Sequence, residues 1–345
     1  MLAPAARHDG RALEVRQGVP GSKRHAALSG GDHVSPRDIR NLAASVRHRL
    51  FSLAKQRGDD FETLLTRYAI ERLLYRLSQS PHSSQFLLKG ATLFALWGGG
   101  PYRSTRDLDL LGSGDSSVPR LEQVFRDICT VQVEPDGLRF AAETVEGNEI
   151  REELDYGGVR IILLAHLEQA RIRIQVDIGF GDAVTPPPED VEFPTILQFP
   201  APHLRAYRRE TVVAEKFQAM VMLGIANSRM RDFYDIWLLS RRFEFSGTPL
   251  SQAIMDTFAR RRTALPAQTP LALTPEFSAI PDKQAQWRAF VRKAGLASHQ
   301  AAFPDVTVAL NEFLMPPTLA LIGGQKPVMH WRPGGPWHHA STRRL

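Results

Sequence analysis

One cysteine in 345 residues, Cys129, excludes any internal disulfide, so the fold must rest on burial and not on cross-links. Set in Asp127-Ile128-Cys129-Thr130-Val131, it reads as a small apolar packing residue, and a reducing cytoplasm is the expected setting. No apolar run approaches the ~20 residues that a membrane helix needs, and no signal-peptide core is visible. Internal repeats are absent as well, which sets solenoid architectures aside. Acid is missing from one region: Pro316 to Leu345 contains none, against Lys326, Arg332, Arg343 and Arg344.

What is present is ordinary for a globular chain, 43% apolar and 23% charged. The length allows two or three domains, each with its own core. A net charge of +6 permits an anionic partner such as a nucleotide or RNA, although much of the excess sits in the tails. Residues 1–34 alternate Ala, Gly, Arg and His without periodicity and read as a disordered basic leader. Ser35-Pro36-Arg37-Asp38 carries helix-start chemistry. Two amphipathic helices follow at Asn41–Gln56 and Phe61–Leu77, separated by Gly58-Asp59-Asp60.

Chemistry concentrates between Phe86 and Leu111. Arg106-Asp107-Leu108-Asp109-Leu110-Leu111 puts two carboxylates two positions apart among apolar residues. In a strand, alternate side chains share a face, so Asp107 and Asp109 stand together, with Cα atoms roughly 6.6 Å apart. Like charges about 5 Å apart at an effective dielectric near 20 repel by on the order of 3 kcal/mol. A divalent cation between them relieves that repulsion, and hard ions such as Mg²⁺ take oxygen ligands; a solvated turn or helix cap is the plainer alternative. Upstream, Lys89-Gly90-Ala91-Thr92 follows the strand-like Phe86-Leu87-Leu88 and precedes an apolar helix at Thr92–Trp97. Such a strand–glycine–helix turn lets backbone amides and a helix N-terminus meet phosphate.

Further along, helix Arg120–Cys129 is followed by strands at Leu138–Val145 and Gly158–Ala165, the latter after a turn at Asp155-Tyr156-Gly157-Gly158. Arg171–Phe180 alternates cleanly: Ile172, Ile174, Val176, Ile178 and Phe180 on one face, Arg171, Arg173, Gln175 and Asp177 on the other. Asp177 therefore points out of the core, as a solvated charge or as a functional carboxylate. Pro186-Pro187-Pro188, Pro194, Pro200 and Pro202 mark a long extended connection to a helical region. In helix Glu210–Ala226, Lys216 lies on the stripe of Val212, Val213, Ala219, Met220 and Leu223, either snorkelling or reaching into a cleft. In Arg229-Met230-Arg231-Asp232-Phe233-Tyr234-Asp235, Asp232 and Asp235 sit one helical turn apart. They are either a dipole-favoured charge and an arginine partner or part of a site. Helices are expected at Leu250–Arg261, Ala285–Ala294 and Val306–Leu314, and His338-His339 reads as disordered, not as a ligand set.

Lys89-Gly90-Ala91, Arg103-Ser104-Thr105-Arg106-Asp107-Leu108-Asp109, Ala214-Glu215-Lys216-Phe217 and Arg231-Asp232 with Asp235 together resemble the nucleotidyltransferase AbiEii/AbiGii toxin family of abortive-infection and type IV toxin–antitoxin systems, over about residues 40–245. The family's turn usually carries Gly-Gly or Gly-Ser, whereas Ala91 follows Gly90 here, which leaves only backbone donors. The resemblance implies an α+β, polymerase-beta-like nucleotidyltransferase fold, a mixed sheet flanked by helices with a C-terminal helical domain. It divides the chain into a leader (1–34), a nucleotidyltransferase domain (35–185), a helical domain completing the cleft (186–315) and a basic flexible tail (316–345). It implies catalytic Asp107, Asp109, Asp177, Lys216 and Asp232, with the three strand aspartates holding Mg²⁺ or Mn²⁺. Nucleotide contacts fall to Lys89, Gly90, Ala91, Thr92, Arg106 and Lys216, with support from Arg231 and Asp235. It further implies an NTP substrate, a tRNA or other RNA acceptor, and a winged-helix antitoxin partner. An inactive nucleotide-binding module and an antibiotic-type small-molecule nucleotidyltransferase are the alternative functions.

Overall fold

The computed structural model describes residues 36–98, 107–151, 157–296 and 301–339. The leader 1–34, Ser35, Arg103 to Arg106, the Asp155-Tyr156 turn and the terminal Arg343-Arg344 lie outside the described residues. Helices α1 (Pro36–Arg57) and α2 (Phe61–Ser78) lead into β1 (Phe86–Lys89), the short α3 (Leu93–Leu96) and β2 (Asp107–Gly112). Helix α4 (Val118–Thr130) precedes three long strands, β3 (Leu138–Arg151), β4 (Gly157–Leu167) and β5 (Ala170–Phe180), then the short β6 (Glu189–Glu192) and β7 (His203–Ala206). Helices α5 (Arg209–Leu223) and α6 (Met230–Arg242) follow, then β8 (Phe245–Ser246), α7 (Gly247–Arg260), α8 (Pro275–Ala279), α9 (Pro281–Lys293), α10 (Phe303–Ile322), β9 (Met329–Trp331) and β10 (Trp337–His339).

The fold is α+β, with a mixed seven-stranded sheet ordered β3-β4-β5-β2-β1-β7-β6 and flanked by helices. β2 runs parallel to β5 and antiparallel to β1. Alternation decides which way each strand faces. Leu88 on β1, Leu108 and Leu110 on β2, and Ile174, Val176 and Ile178 on β5 are all buried, and paired positions share a face. Helix α2 covers that face over β5 and β7, while α4 lies on β3 and β4. Asp60 caps α2 by accepting from the Thr63 N–H at 2.9 Å, and Gly58 supplies the left-handed turn between α1 and α2 (φ 71°).

Between residues 189 and 206 the expected extended connection instead forms β6 and β7, and β7 adds to the sheet beside β1. Four-residue strands bounded by prolines carry too little alternation to stand out in a sequence.

The reading of residues 316–345 as a flexible tail is corrected for the described part. Helix α10 continues through Pro316 and Pro317 to Ile322, and β8, β9 and β10 make a three-stranded sheet. His338 and His339, expected to be disordered, lie in β10 and pair with His330 and Met329. Two tryptophans explain the order. Trp331 is buried and donates from Nε1 to the Ser240 carbonyl at 2.7 Å. A proline at 317 has no N–H for the Phe313 carbonyl four residues earlier, and Trp337 Nε1 donates to that carbonyl at 2.9 Å in its place. Trp337 also stacks on Phe313, centroid to centroid 5.8 Å.

Candidate active site

Asp109 and Asp177 are direct register partners across the parallel β2–β5 pair, and Asp107 pairs with Gln175 two positions earlier. All four side chains therefore rise from the face opposite the apolar core. Asp177 is gripped by Arg160 of β4, which donates from Nε to Oδ1 at 2.7 Å and from Nη2 to Oδ2 at 2.8 Å. Gln175 Nε2 adds contacts of 3.3 and 3.2 Å to the same two oxygens. Burial, the largest influence, pushes the Asp109 carboxyl above the usual carboxylate range, and the Asp177 charge adds to it. Lys89, Lys216 and the Ala91 amide pull the other way. The field of Lys216 thus reaches Asp109.

The turn after β1 is shaped around that carboxylate. Gly90 has φ 72°, and a Cβ built on it would overlap the Asp109 carboxyl group. Only glycine satisfies both demands. The Ala91 amide donates toward Asp109, while the buried Thr92 turns its hydroxyl to the Asp107 carbonyl at 3.4 Å. Arg106 lies outside the described residues.

On the helical side, Lys216 of α5 sits between Asp232 Oδ1 at 2.7 Å and Asp235 Oδ2 at 3.0 Å, both on α6. The two acids are buried, so Lys216 reaches into protein and not into bulk water. Arg229 Nε lies 2.6 Å from Asp232 Oδ2. Burial pushes the Asp232 carboxyl up, but Lys216, Arg229 and, more weakly, the exposed Arg231 together hold it below its ordinary value.

A second cluster is absent from the sequence reading apart from Lys89 and the Glu215 of the Ala214-Glu215-Lys216-Phe217 motif. Lys89, paired with Asp109 across β1–β2, contacts Asp182 Oδ2 at 2.7 Å and Glu215 Oε2 at 3.7 Å. Arg261 approaches the same acids, Asp182 Oδ1 at 2.9 Å and Glu215 Oε1 at 3.7 Å. Burial raises Asp182, yet Lys89 and Arg261 outweigh it and bring its carboxyl down to about 2. Burial pushes Glu215 the other way, upward. Lys89, expected among the nucleotide contacts, thus ties the sheet to α5 and to the end of α7. Asp182 carried a faint signal, five residues past Asp177 in Asp177-Ile178-Gly179-Phe180-Gly181-Asp182. Arg160 carried none, because its place opposite Asp177 depends on the β4–β5 register.

Three carboxylates on one face form a hard-oxygen donor set of the kind Mg²⁺ takes, so the residues suit a divalent ion. Among the described residues, however, no three acidic, histidine or cysteine side chains close into a metal-holding group. The convergence expected of Asp107, Asp109 and Asp177 is met in face and register but not as a closed ligand set, and the Arg160 fork on Asp177 gives a physical reason. A cavity of about 380 Å³, lined by Ser78, Asp190, Glu192, His203 and Arg205, lies against β6 and β7 at the sheet edge and includes none of these residues.

The model of the nucleotidyl transferase AbiEii toxin, type IV toxin–antitoxin family matches residues 72–312. The chain belongs to this family. It is accordingly a nucleotidyltransferase of the type IV toxin class, for which an NTP substrate, a divalent metal and an antitoxin are the general companions. Two solved structures are similar to this AbiEii-family chain: JHP933 from Helicobacter pylori (16% identity, 73% of this chain and 90% of that one, TM-score 0.42) and a candidate nucleotidyltransferase from H. pylori (17%, 74% and 94%, TM-score 0.42). No curated protein matches it. Among the described residues, no helix is long and apolar enough to cross a membrane.

Proposed function

We propose that this AbiEii-family chain transfers a nucleotide from an NTP to a hydroxyl of RNA, with tRNA as the leading acceptor, Mg²⁺ as the ion and a winged-helix protein as antitoxin. The observation that carries this reading is the register of Asp109 with Asp177, with Asp107 on the same face and Lys216 close enough to act on Asp109. Asp107, Asp109 and Asp177 would hold the ion. When bound, it offsets the triphosphate charge and helps bring an acceptor oxygen in line with the α-phosphorus. Gly90 and the Ala91 amide fix the Asp109 side chain in place. Lys216, held by Asp232 and Asp235, supplies a preset cation for the phosphates without reorganising during the reaction. The seven-stranded sheet, which runs on past residue 185 to include β6 and β7, serves with its flanking helices as the catalytic part, and the helices from α5 onward serve to close the cleft.

The test is incubation of the full chain with Mg²⁺, labelled NTPs and total RNA. Label is expected in RNA and should fall on the order of a hundredfold to a thousandfold in Asp109→Asn, the scale of losing one preorganised electrostatic contact. NTP binding without incorporation would overturn transfer in favour of the inactive module, and label in an aminoglycoside would overturn the RNA acceptor.

A further inference from the structure

Arg160 stands where a cation for the acidic face would be needed. β4 runs antiparallel to β5 and places Arg160 directly opposite Asp177, so its side chain leaves the sheet on the carboxylate face. The guanidinium takes both Asp177 oxygens in a fork, at 2.7 and 2.8 Å. Such two-point pairs are the stronger kind of ion contact and fix geometry as well as charge. Asp107 and Asp109 also lie within its field. Yet the arginine is not locked in: 38% of its side chain is exposed, so it can swing outward without opening the core. Each Asp177 oxygen already accepts one guanidinium N–H, so a metal ion bound there competes with the fork for the same carboxylate charge and lone pairs.

We propose that Arg160 is a placeholder cation: it occupies Asp177 until a divalent ion displaces it, and thereby sets the affinity of the acidic face for that ion. The proposal rests on the reading of Asp107, Asp109 and Asp177 as ion-holding residues. It makes Arg160 a positioning residue, acting through Asp177. The fork keeps the carboxylates ordered and their charge partly neutralised without the ion, and ion binding is coupled to release of one guanidinium. Charge alone cannot account for such a role, because a point charge at the same place would neutralise the face without taking both oxygens of one carboxylate.

Mn²⁺ titration of the full chain without nucleotide, read by the electron paramagnetic resonance of free Mn²⁺, tests this. Arg160→Gln is expected to bind Mn²⁺ roughly tenfold more tightly than the native chain, since a cation beside the site is gone. Arg160→Lys keeps the charge but not the fork and is expected to fall between the two. Melting temperatures without metal establish that all variants are folded. Unchanged or weaker binding in Arg160→Gln overturns the proposal. So does an Arg160→Lys variant that matches the native chain, which would leave only a distant charge effect. Asp109→Asn separates the two levels: if it leaves Mn²⁺ binding untouched, or if no variant binds Mn²⁺, the ion-holding reading itself falls.

Discussion

Asp136, just before β3, and Asp109, on β2, are both aspartates drawn into protein, but they are surrounded very differently. Asp136 accepts from Arg72 Nε at 2.9 Å, from Arg76 Nη1 at 2.6 Å and Nη2 at 3.1 Å, and from the Leu138 amide at 3.1 Å. Burial pushes its carboxyl up, and the two arginines more than reverse the effect. Asp109 has Lys89, Lys216 and one backbone amide on its side, yet burial and Asp177 keep its carboxyl raised. One acid is saturated and serves to pin α2 to the start of β3; the other is left short of positive charge. A structural acid is finished by its own chain, whereas an acid that handles a ligand keeps part of its demand open.

The sharpest way to break that contrast is to make the same substitution in both places. Asp136→Asn should lower unfolding free energy by about 3–5 kcal/mol, because two buried guanidiniums lose their anion. Asp109→Asn should leave it unchanged or raise it, since a strained charge is removed. Chemical denaturation of both variants decides it, and equal losses would erase the distinction.

Glu71, beside Arg72, sharpens the comparison from within the cluster around Asp136. Its Oε2 accepts from the Ile196 amide at 2.7 Å, and Arg72 Nη1 stands 3.7 Å from Oε1. Burial nevertheless pushes its carboxyl up to about 7 from an ordinary 4.5. The folded chain then keeps a proton that the unfolded chain releases, so stability falls as pH rises from about 4.5 to about 7. Glu71→Gln should remove Glu71's share of that slope and exceed the native chain at pH 8 by about 3 kcal/mol. Unfolding curves of both chains at pH 5 and pH 8 measure it, and the same slope in native and variant would refute the assignment.

The last substitution, at Gly90, tests the turn beneath Asp109. Gly90→Ala should cost about 1–2 kcal/mol for its left-handed backbone, with a further cost from the overlap of its Cβ with the Asp109 side chain, and should reduce nucleotide transfer at least tenfold by pushing Asp109 aside. Melting temperature and the labelling assay report the two separately. Full activity in Gly90→Ala would show that Asp109 does not depend on the turn.

Much of the acidic face was legible because strand alternation is local information. The run from Ile172 to Phe180 placed Asp177 on the polar face before any neighbour was known, and Asp107-Leu108-Asp109 did the same for its pair. Partners that depend on register were not legible: Arg160 became visible only with β4 laid against β5. Asp182 and Arg261 meet through a loop and a helix end 79 residues apart, a separation no motif spans. The region after residue 316 was misjudged because prolines, glycines and missing acid outweighed Trp331 and Trp337. Two indoles seeking cover and a carbonyl partner were the better guide.

Because side chains flip face with every single step along a strand, the alignment of β2 with β5 behaves as a digital code and not as an adjustable dial. Sliding β5 by one position would set Val176 or Ile178 beside Asp109 and turn Asp177 into the oily interior. Half-formed versions of this acidic face are therefore not available by small shifts of the sheet. A residue inserted or deleted between Asp107 and Asp109, or in β5 between Ala170 and Asp177, would put one of the three carboxylates on the wrong face in a single stroke.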